Sequence, residues 1–386
     1  MVDAFLEPRH EKLRDGARAF ALAKLEPLED EAERDVAKAS RKAVALMGGE
    51  GIFRSVVPKA HGGASENVEV RAVVAAREGV AYGSPLGDAL LALQGLGSLP
   101  IELAGTTAQK RAWLSKVAEG RAIAAFALTE PNAGSDPAAM TTLAKKSNDG
   151  YVLSGTKTFI SNAGICDYYC LFAKTDASAG HRGITAFLVH ADARGVESEP
   201  LKLLANHPIG TVRLDSVRVP LEATLGAEGE GFRLALRTLD RMRPTVAAAA
   251  CGMAARALDE AVRRASSREQ FGKPIAANQG LRWMLAQAAT DLQAARLLTY
   301  RAAWLADNGQ ERITVESAQA KLFATEMAQR AVDLALQVHG GSGTIAGSVV
   351  ERLYREVRAL RIYEGTSEVL RDTIAKSLFP TRPDKS

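Results

Sequence analysis

Twice along the chain the spacing of apolar residues changes its period, and the two changes set the architecture. From Glu7 to about Glu119 the spacing is helical. Leu13, Ala17, Phe20 and Ala21 share one face of a first helix, and Val44, Leu46 and Met47 close a second at Gly48-Gly49. Two more helices fit between Val68 and Ala104. Thr106-Thr107-Ala108-Gln109 is a capping box, Thr with Gln three residues on, opening a helix that closes at Gly120. At Ala122 short apolar runs take over. Asn148-Asp149-Gly150 is a hairpin turn between two of them, and Tyr168 to Lys174, Ile184 to His190 and Val212 to Val219 read as further strands. Helices return at Phe232. Leu281, Met284, Leu285, Ala288, Leu292 and Ala295 form one stripe, stopped by Asp307-Asn308-Gly309, and a further helix runs from Ile313 to Gln337. The sequence therefore predicts an α+β fold. A helical N-terminal domain covers 1–121, a mostly antiparallel β domain covers 122–225, and a helical bundle covers 226–386, with a ligand site where they meet.

Composition removes several function classes. Net charge is only +4, from 49 basic and 45 acidic residues, and no Lys/Arg-rich run occurs, which argues against nucleic acid as a partner. The three cysteines, Cys166, Cys170 and Cys251, lack the partners of a disulfide framework or a zinc site, so no metal is expected and a reducing, cytoplasmic setting fits. Charges interrupt every apolar stretch before it could span a membrane, and Met1 to Arg14 is mixed in charge without a signal core.

Five segments carry chemistry. Phe126-Ala127-Leu128-Thr129-Glu130-Pro131-Asn132-Ala133-Gly134-Ser135-Asp136 leaves the first strand with hydroxyls and a Gly whose backbone can bond a flat heterocycle or a phosphate. In Gly155 to Gly164, strand alternation puts Phe159 and Ser161 on one face, an aromatic beside a hydroxyl. Arg268-Glu269-Gln270-Phe271-Gly272-Lys273-Pro274-Ile275 breaks a helix and leaves an Arg suited to a pyrophosphate. Gln337-Val338-His339-Gly340-Gly341 is Gly-rich at a helix end, but without a Gly-x-Ser-x-Gly elbow it is not an esterase loop. No Gly-x-Gly-x-x-Gly lies between a strand and a helix, which argues against a Rossmann domain. In Arg361-Ile362-Tyr363-Glu364-Gly365-Thr366-Ser367-Glu368 a carboxylate meets a Gly that admits close approach to the backbone, and then a helix start that Thr366 or Ser367 can cap. Apolar Ile362 and Tyr363 would raise the Glu364 pKa toward that of a general base.

Together and in this order, these segments resemble the acyl-CoA dehydrogenase family of flavoproteins over nearly the whole chain. The most specific pieces are Thr129-Glu130-Pro131 with Ala133-Gly134-Ser135-Asp136, Gln270-Phe271-Gly272-Lys273-Pro274-Ile275, and Tyr363-Glu364-Gly365-Thr366-Ser367-Glu368. The resemblance implies FAD held by Phe126, Leu128, Thr129, Gly134 and Ser135, with Phe159, Ile160 and Ser161 along the isoalloxazine ring. Phe159 stands where many relatives have Trp. Arg268, Phe271 and Gln279, with Gln337, Gly340 and Gly341, are expected to reach the FAD of a neighbouring subunit, and Thr366 and Glu368 to contact FAD from the chain's end. Such shared sites imply a homo-oligomer, usually a tetramer.

The resemblance also implies the reaction. Glu364 takes the α-proton of an acyl-CoA thioester while the β-hydrogen leaves as hydride to flavin N5, giving a trans-2-enoyl-CoA, and an electron-transfer flavoprotein accepts the electrons. The thioester carbonyl is held by the backbone N–H of Glu364 and a flavin hydroxyl. Ser135, Asp240, Arg243 and Gly365 are expected at the substrate. Relatives that carry the base elsewhere have it at the position of Met242, which cannot take a proton. Ala89 to Leu103 and the small residues Val246 to Cys251 are expected to line the acyl pocket, although small side chains fit tight helix packing equally well. A short, branched or medium acyl chain is expected. A carrier-protein thioester stays open beside CoA.

Overall fold

The computed structural model describes residues 5–310 and 312–379. The outermost residues of the expected first and last domains, 1–4 and 380–386, lie outside the described residues. The helices are α1 Pro8–Phe20, α2 Glu29–Ala32, α3 Val36–Glu50, α4 Val70–Gly83, α5 Pro85–Ala104, α6 Thr107–Ala118, α7 Gly231–Ser267, α8 Gln279–Asp307, α9 Thr314–His339, α10 Val349–Leu360 and α11 Ser367–Leu378. The strands are β1 Ala124–Ala127, β2 Leu143–Ser147, β3 Gly150–Ser161, β4 Tyr168–Lys174, β5 Ile184–His190, β6 Val196–Pro200, β7 Ile209–Pro220 and β8 Thr224–Leu225, and a separate pair is β9 Glu269–Gln270 and β10 Lys273–Pro274. The order is helical, then β, then helical, as the periodicity predicts.

The chain forms two compact units. Among the described residues, one comprises 5–26, 70–88, 243–310 and 312–379, and the other 27–69 and 89–242. In the second, the sheet runs β6-β7-β3-β2-β4-β5-β8, with β1 beside β4. Pairing is antiparallel except for β1 with β4 and a single residue pair between β2 and β4. The β2–β3 hairpin turns where Asn148-Asp149 predicts it, pairing Ser147 with Gly150. Inward residues such as Tyr151, Leu153, Tyr169, Leu171, Phe187 and Val212 make its core. β6, Val-Glu-Ser-Glu-Pro, goes unseen in the sequence because it is an exposed, charged edge strand with no apolar alternation. The capping box forms as read. The Thr106 N–H donates to Gln109 Oε1 at 2.7 Å and the Gln109 N–H to Thr106 Oγ1 at 3.2 Å. Gln109 Nε2 also donates to the carbonyls of Glu222 and Thr224, tying the start of α6 to the end of the sheet.

One helix end departs from expectation. α3 passes through Gly48-Gly49 and stops at Gly51, whose φ of 82° supplies the left-handed cap. Gly48 serves packing instead, since a Cβ there would lie 2.3 Å from the Glu119 carbonyl oxygen.

The first unit is a helical bundle with an alanine-rich core on α7, α8 and α9. Val246 to Cys251 are all buried, and a Cβ on Gly252 would meet the Glu78 carbonyl oxygen at 2.3 Å. Small residues on α7 therefore let it come close to α4 at Gly252. Gly252→Val is expected to cost about 1–3 kcal/mol from overpacking, read as a lowered thermal midpoint. An unchanged midpoint would rule out that close approach. Along α8 the predicted stripe is buried only at its far end, at Leu292 and Ala295. Trp283 and Met284 are 63% and 51% exposed.

Candidate functional site

In the β-containing unit, a buried ion pair shapes the turn after β1. Glu130 and Lys157 are 3% and 0% exposed, with Oε1 and Nζ 2.9 Å apart. Glu130 Oε1 also accepts the Thr142 N–H, while Oε2 accepts the N–H and hydroxyl of Thr141. Lys157 donates as well to the Leu128 carbonyl at 3.1 Å, and the Thr158 N–H to the Thr129 carbonyl at 3.0 Å. Residues 128–142 are thereby fastened to β3. Burial pushes the Glu130 carboxyl up, but the Lys157 charge and the Thr donors outweigh it and hold it at about 2. Burial brings Lys157 down to about 8 against the Glu130 charge.

This frame brings together most of the residues predicted from the first two segments. Leu128 is buried, Phe126 and Thr129 are half-buried and Ser135 is exposed. Gly134 faces open space, with nothing within 4 Å of an added Cβ. Strict alternation fails near the end of β3. A register shift between Lys157 and Ile160 leaves Phe159 in the left-handed region at φ 54°, with 60% exposure. The alternation argument that paired Phe159 with Ser161 therefore does not hold, because a bulge inserts a residue. The Ile160 side chain lies in the sheet core, which leaves only its backbone available to a ligand. Ser161 Oγ is 2.6 Å from His207 Nε2, and burial lowers His207 to about 4, keeping it neutral near pH 7.

In the helical unit, the chain between α10 and α11 makes a strained turn. Glu364 has φ 53° and Gly365 φ 103°. A left-handed residue that is not Gly costs about 1–3 kcal/mol and persists only where its surroundings enforce it. Thr366 is the cap, accepting the Val369 N–H at 3.3 Å, whereas the Ser367 hydroxyl donates to Glu326 Oε1 at 2.6 Å. The Glu364 carbonyl accepts from Arg243 Nε at 3.0 Å, and Lys321 Nζ donates to the carbonyls of Tyr363 and Gly365. Arg77 and Asp88, both buried, form a two-bond pair at 2.8 and 2.7 Å, and Arg77 also donates to Thr245 Oγ1.

Glu364 Oε2 is shut off from solvent and has no hydrogen-bond partner among the described residues. The Glu364 N–H likewise meets no acceptor among them. Burial raises the Glu364 carboxyl above its ordinary range, helped by Asp88 and opposed by Arg77, Lys321 and Arg243. The turn thus presents a carboxyl with base-like proton affinity beside a free backbone donor.

Of the other predicted residues, Asp240 is half-buried on α7 and Glu368 is exposed at the start of α11. Arg268, Phe271, Gln279, Gln337, Gly340 and Gly341 are all exposed. Phe271-Gly272 is the tip of the β9–β10 hairpin, with φ 52° and 74° and the Phe271 ring wholly in solvent. Sequence reasoning missed Lys157, His207, Lys321 and the Arg77–Asp88 pair. A usable signal existed for Lys321: its helix neighbours Ser317, Ala318, Ala324 and Thr325 are all small and buried, which marks a Lys set in an inward face.

The chain matches the family models of the acyl-CoA dehydrogenase N-terminal domain over 7–121, the middle domain over 125–217 and the C-terminal domain over 229–379. It is 42% identical over 379 residues to the 3-(aryl)acrylate reductase of Clostridium sporogenes, covering 97% of this chain and 100% of that one. It is 38% identical to the caffeyl-CoA reductase-Etf complex subunit CarC of Acetobacterium woodii, covering 97% and 99%. The solved butyryl-CoA dehydrogenase of Megasphaera elsdenii superposes with a TM-score of 0.90 at 34% identity, covering 97% and 98%. No helix among the described residues is long and apolar enough to cross a membrane.

Proposed function

Because the chain belongs to the acyl-CoA dehydrogenase family and is an oxidoreductase acting on a CH–CH bond of acyl-CoA, we propose that it interconverts an acyl-CoA and its trans-2-enoyl-CoA, with Glu364 moving the α-proton. The observation that carries this reading is the orphaned, buried Glu364 Oε2 beside an unused N–H.

FAD is the cofactor, and the residues present fit it. The half-exposed Phe159 ring, the open space at Gly134 and the hydroxyls of Thr129, Ser135 and Ser161 all belong to segments that the Glu130–Lys157 pair fastens together. When bound, FAD supplies the acceptor for the β-hydrogen. Glu364 removes the α-proton. Its N–H donates to the thioester oxygen and stabilises the enolate-like charge that develops there. Arg243 holds the turn through the Glu364 carbonyl, and Ser135, Asp240 and Gly365 are assigned to the substrate. The exposed Arg268, Phe271, Gln279, Gln337, Gly340 and Gly341, together with the uncovered apolar start of α8, support a homo-oligomer whose subunits share FAD sites, with Thr366 and Glu368 at the same cofactor. An electron-transfer flavoprotein is the proposed acceptor, a partner that the name of the CarC relative also carries.

An anaerobic titration of the flavin protein with a panel of acyl-CoAs tests the reading. The productive thioester bleaches the wild type and leaves Glu364→Gln unchanged. Bleaching of both forms alike would remove Glu364 as the base. The raised Glu364 pKa also predicts a pH profile. The free carboxylate is the active form, so kcat/KM falls as pH drops through that raised pKa, above the ordinary carboxylate range. An acid limb at an ordinary carboxylate pKa would contradict the desolvated site.

A second reading runs the same bond in the other direction, with Glu364 as the acid that protonates Cα of an enoyl-CoA. The names of the two relatives, both reductases, favour it. Anaerobic assays with enoyl-CoA and a reduced electron-transfer flavoprotein separate the two.

A further inference from the structure

Lys321 has no place in the reaction as proposed above, yet its surroundings are unusual. It lies on α9 and is wholly buried. Burial brings its ammonium down to about 7, against the opposing charge of Glu364. Its hydrogen bonds go to the carbonyls of Tyr363 and Gly365, one on each side of Glu364. The carbonyl between them is taken by Arg243. Three successive carbonyls, which belong to neither α10 nor α11, thus receive their donors from cations on two other helices. Those bonds supply the enforcement that a left-handed Glu364 needs.

We propose that Lys321 is the positioning residue of Glu364, clamping the peptide groups on either side so that the carboxyl is aimed at the α-carbon. This rests on Glu364 as the proton-transfer residue. The charged groups acting on that carboxyl are Arg77 on α4, Asp88 on α5, Arg243 on α7 and Lys321 on α9. Lys321 favours the carboxylate form, so its loss drives the Glu364 proton affinity further up.

The test uses Lys321→Met and Lys321→Gln in the FAD-loaded enzyme, with Glu364→Gln as control. Gln keeps N–H donors for the carbonyls but removes the charge, and serves if Met does not fold. The probes are butyryl-CoA and 3-phenylpropionyl-CoA with an artificial dye acceptor. Turnover is measured against pH, and deuterium entry at Cα in heavy water is followed separately. Lys321→Met is expected to lower kcat and α-exchange by about 10²-fold with KM nearly unchanged. Lys321→Gln is expected to retain flavin and move the acid limb to higher pH. A merely structural lysine would leave that limb in place in every variant that binds flavin. Wild-type kcat in flavin-loaded Lys321→Met, with Glu364→Gln inactive, would overturn the clamp, as would a Lys321→Gln that retains flavin, loses kcat as far as Met does and keeps the wild-type limb. Wild-type turnover in Glu364→Gln would overturn the base assignment, and this inference with it.

Discussion

Glu364→Gln is expected to lower kcat by about 10²–10⁴-fold, the usual contribution of a positioned general base, with flavin content and thermal midpoint near wild type. The amide has the size of the carboxyl. It leaves the Thr366 cap and the carbonyl bonds to Lys321 and Arg243 in place, because those bonds reach the backbone. What it lacks is a proton acceptor where Oε2 now stands unpartnered. Removing a buried group with raised proton affinity also relieves desolvation cost, so stability is not expected to fall. Steady-state turnover, flavin absorbance and a melt on the same preparation check all three points. Retention of activity within tenfold would place the proton transfer elsewhere.

Glu130→Ala carries the largest expected cost in stability. It leaves the Lys157 ammonium buried without its carboxylate and strips two backbone N–H groups and a hydroxyl of their acceptor. Breaking one side of such a pair costs about 3–5 kcal/mol, or a fall of about 10 °C in the midpoint of a unit this size. The turn from Leu128 to Ser135 loosens with it, so flavin retention is expected to fall too. The double variant Glu130→Leu with Lys157→Met removes both charges and should recover much of the midpoint. No recovery would mean that the Thr141 and Thr142 bonds, and not the ion pair, hold the turn.

The same pair sets an acid sensitivity. The folded Glu130 carboxyl, at about 2, lies below its unfolded value of 4.5, so its stabilisation is complete above pH 4.5 and drains away as pH falls toward 2. Lys157 has the same slope in a higher window. Its folded value of about 8 lies below the unfolded 10.5, so stability again rises with pH between them, which means that below pH 8 its buried charge costs stability while the ionised Glu130 adds to it. The two partners therefore oppose each other in net stability, as expected when desolvation offsets attraction. The main consequence of the pair is to hold the turn on β3.

The alternation of periods was enough to read an α+β chain, its helical, β and helical order, the β2–β3 hairpin and the capping box at Thr106, because each depends on residues close in sequence. Turn chemistry likewise exposed the Glu364-Gly365-Thr366 segment, since a helix cap and a Gly leave local signatures. Tertiary structure decided what depends on distant residues. Gly48 reads as a helix stop, but the Glu119 carbonyl it admits comes from the residue that caps α6. Phe159 seemed to alternate with Ser161 until the register of β7 against β3 required a bulge. Lys157 and Lys321 read as ordinary polar residues, because a buried charge is recognised by its partners, and those lie 27 and more than 40 positions away. Glu364 itself was legible as a carboxylate in a binding turn. Its raised proton affinity was not, because that follows from burial and from Arg77, Asp88, Arg243 and Lys321, which only the folded bundle gathers around it.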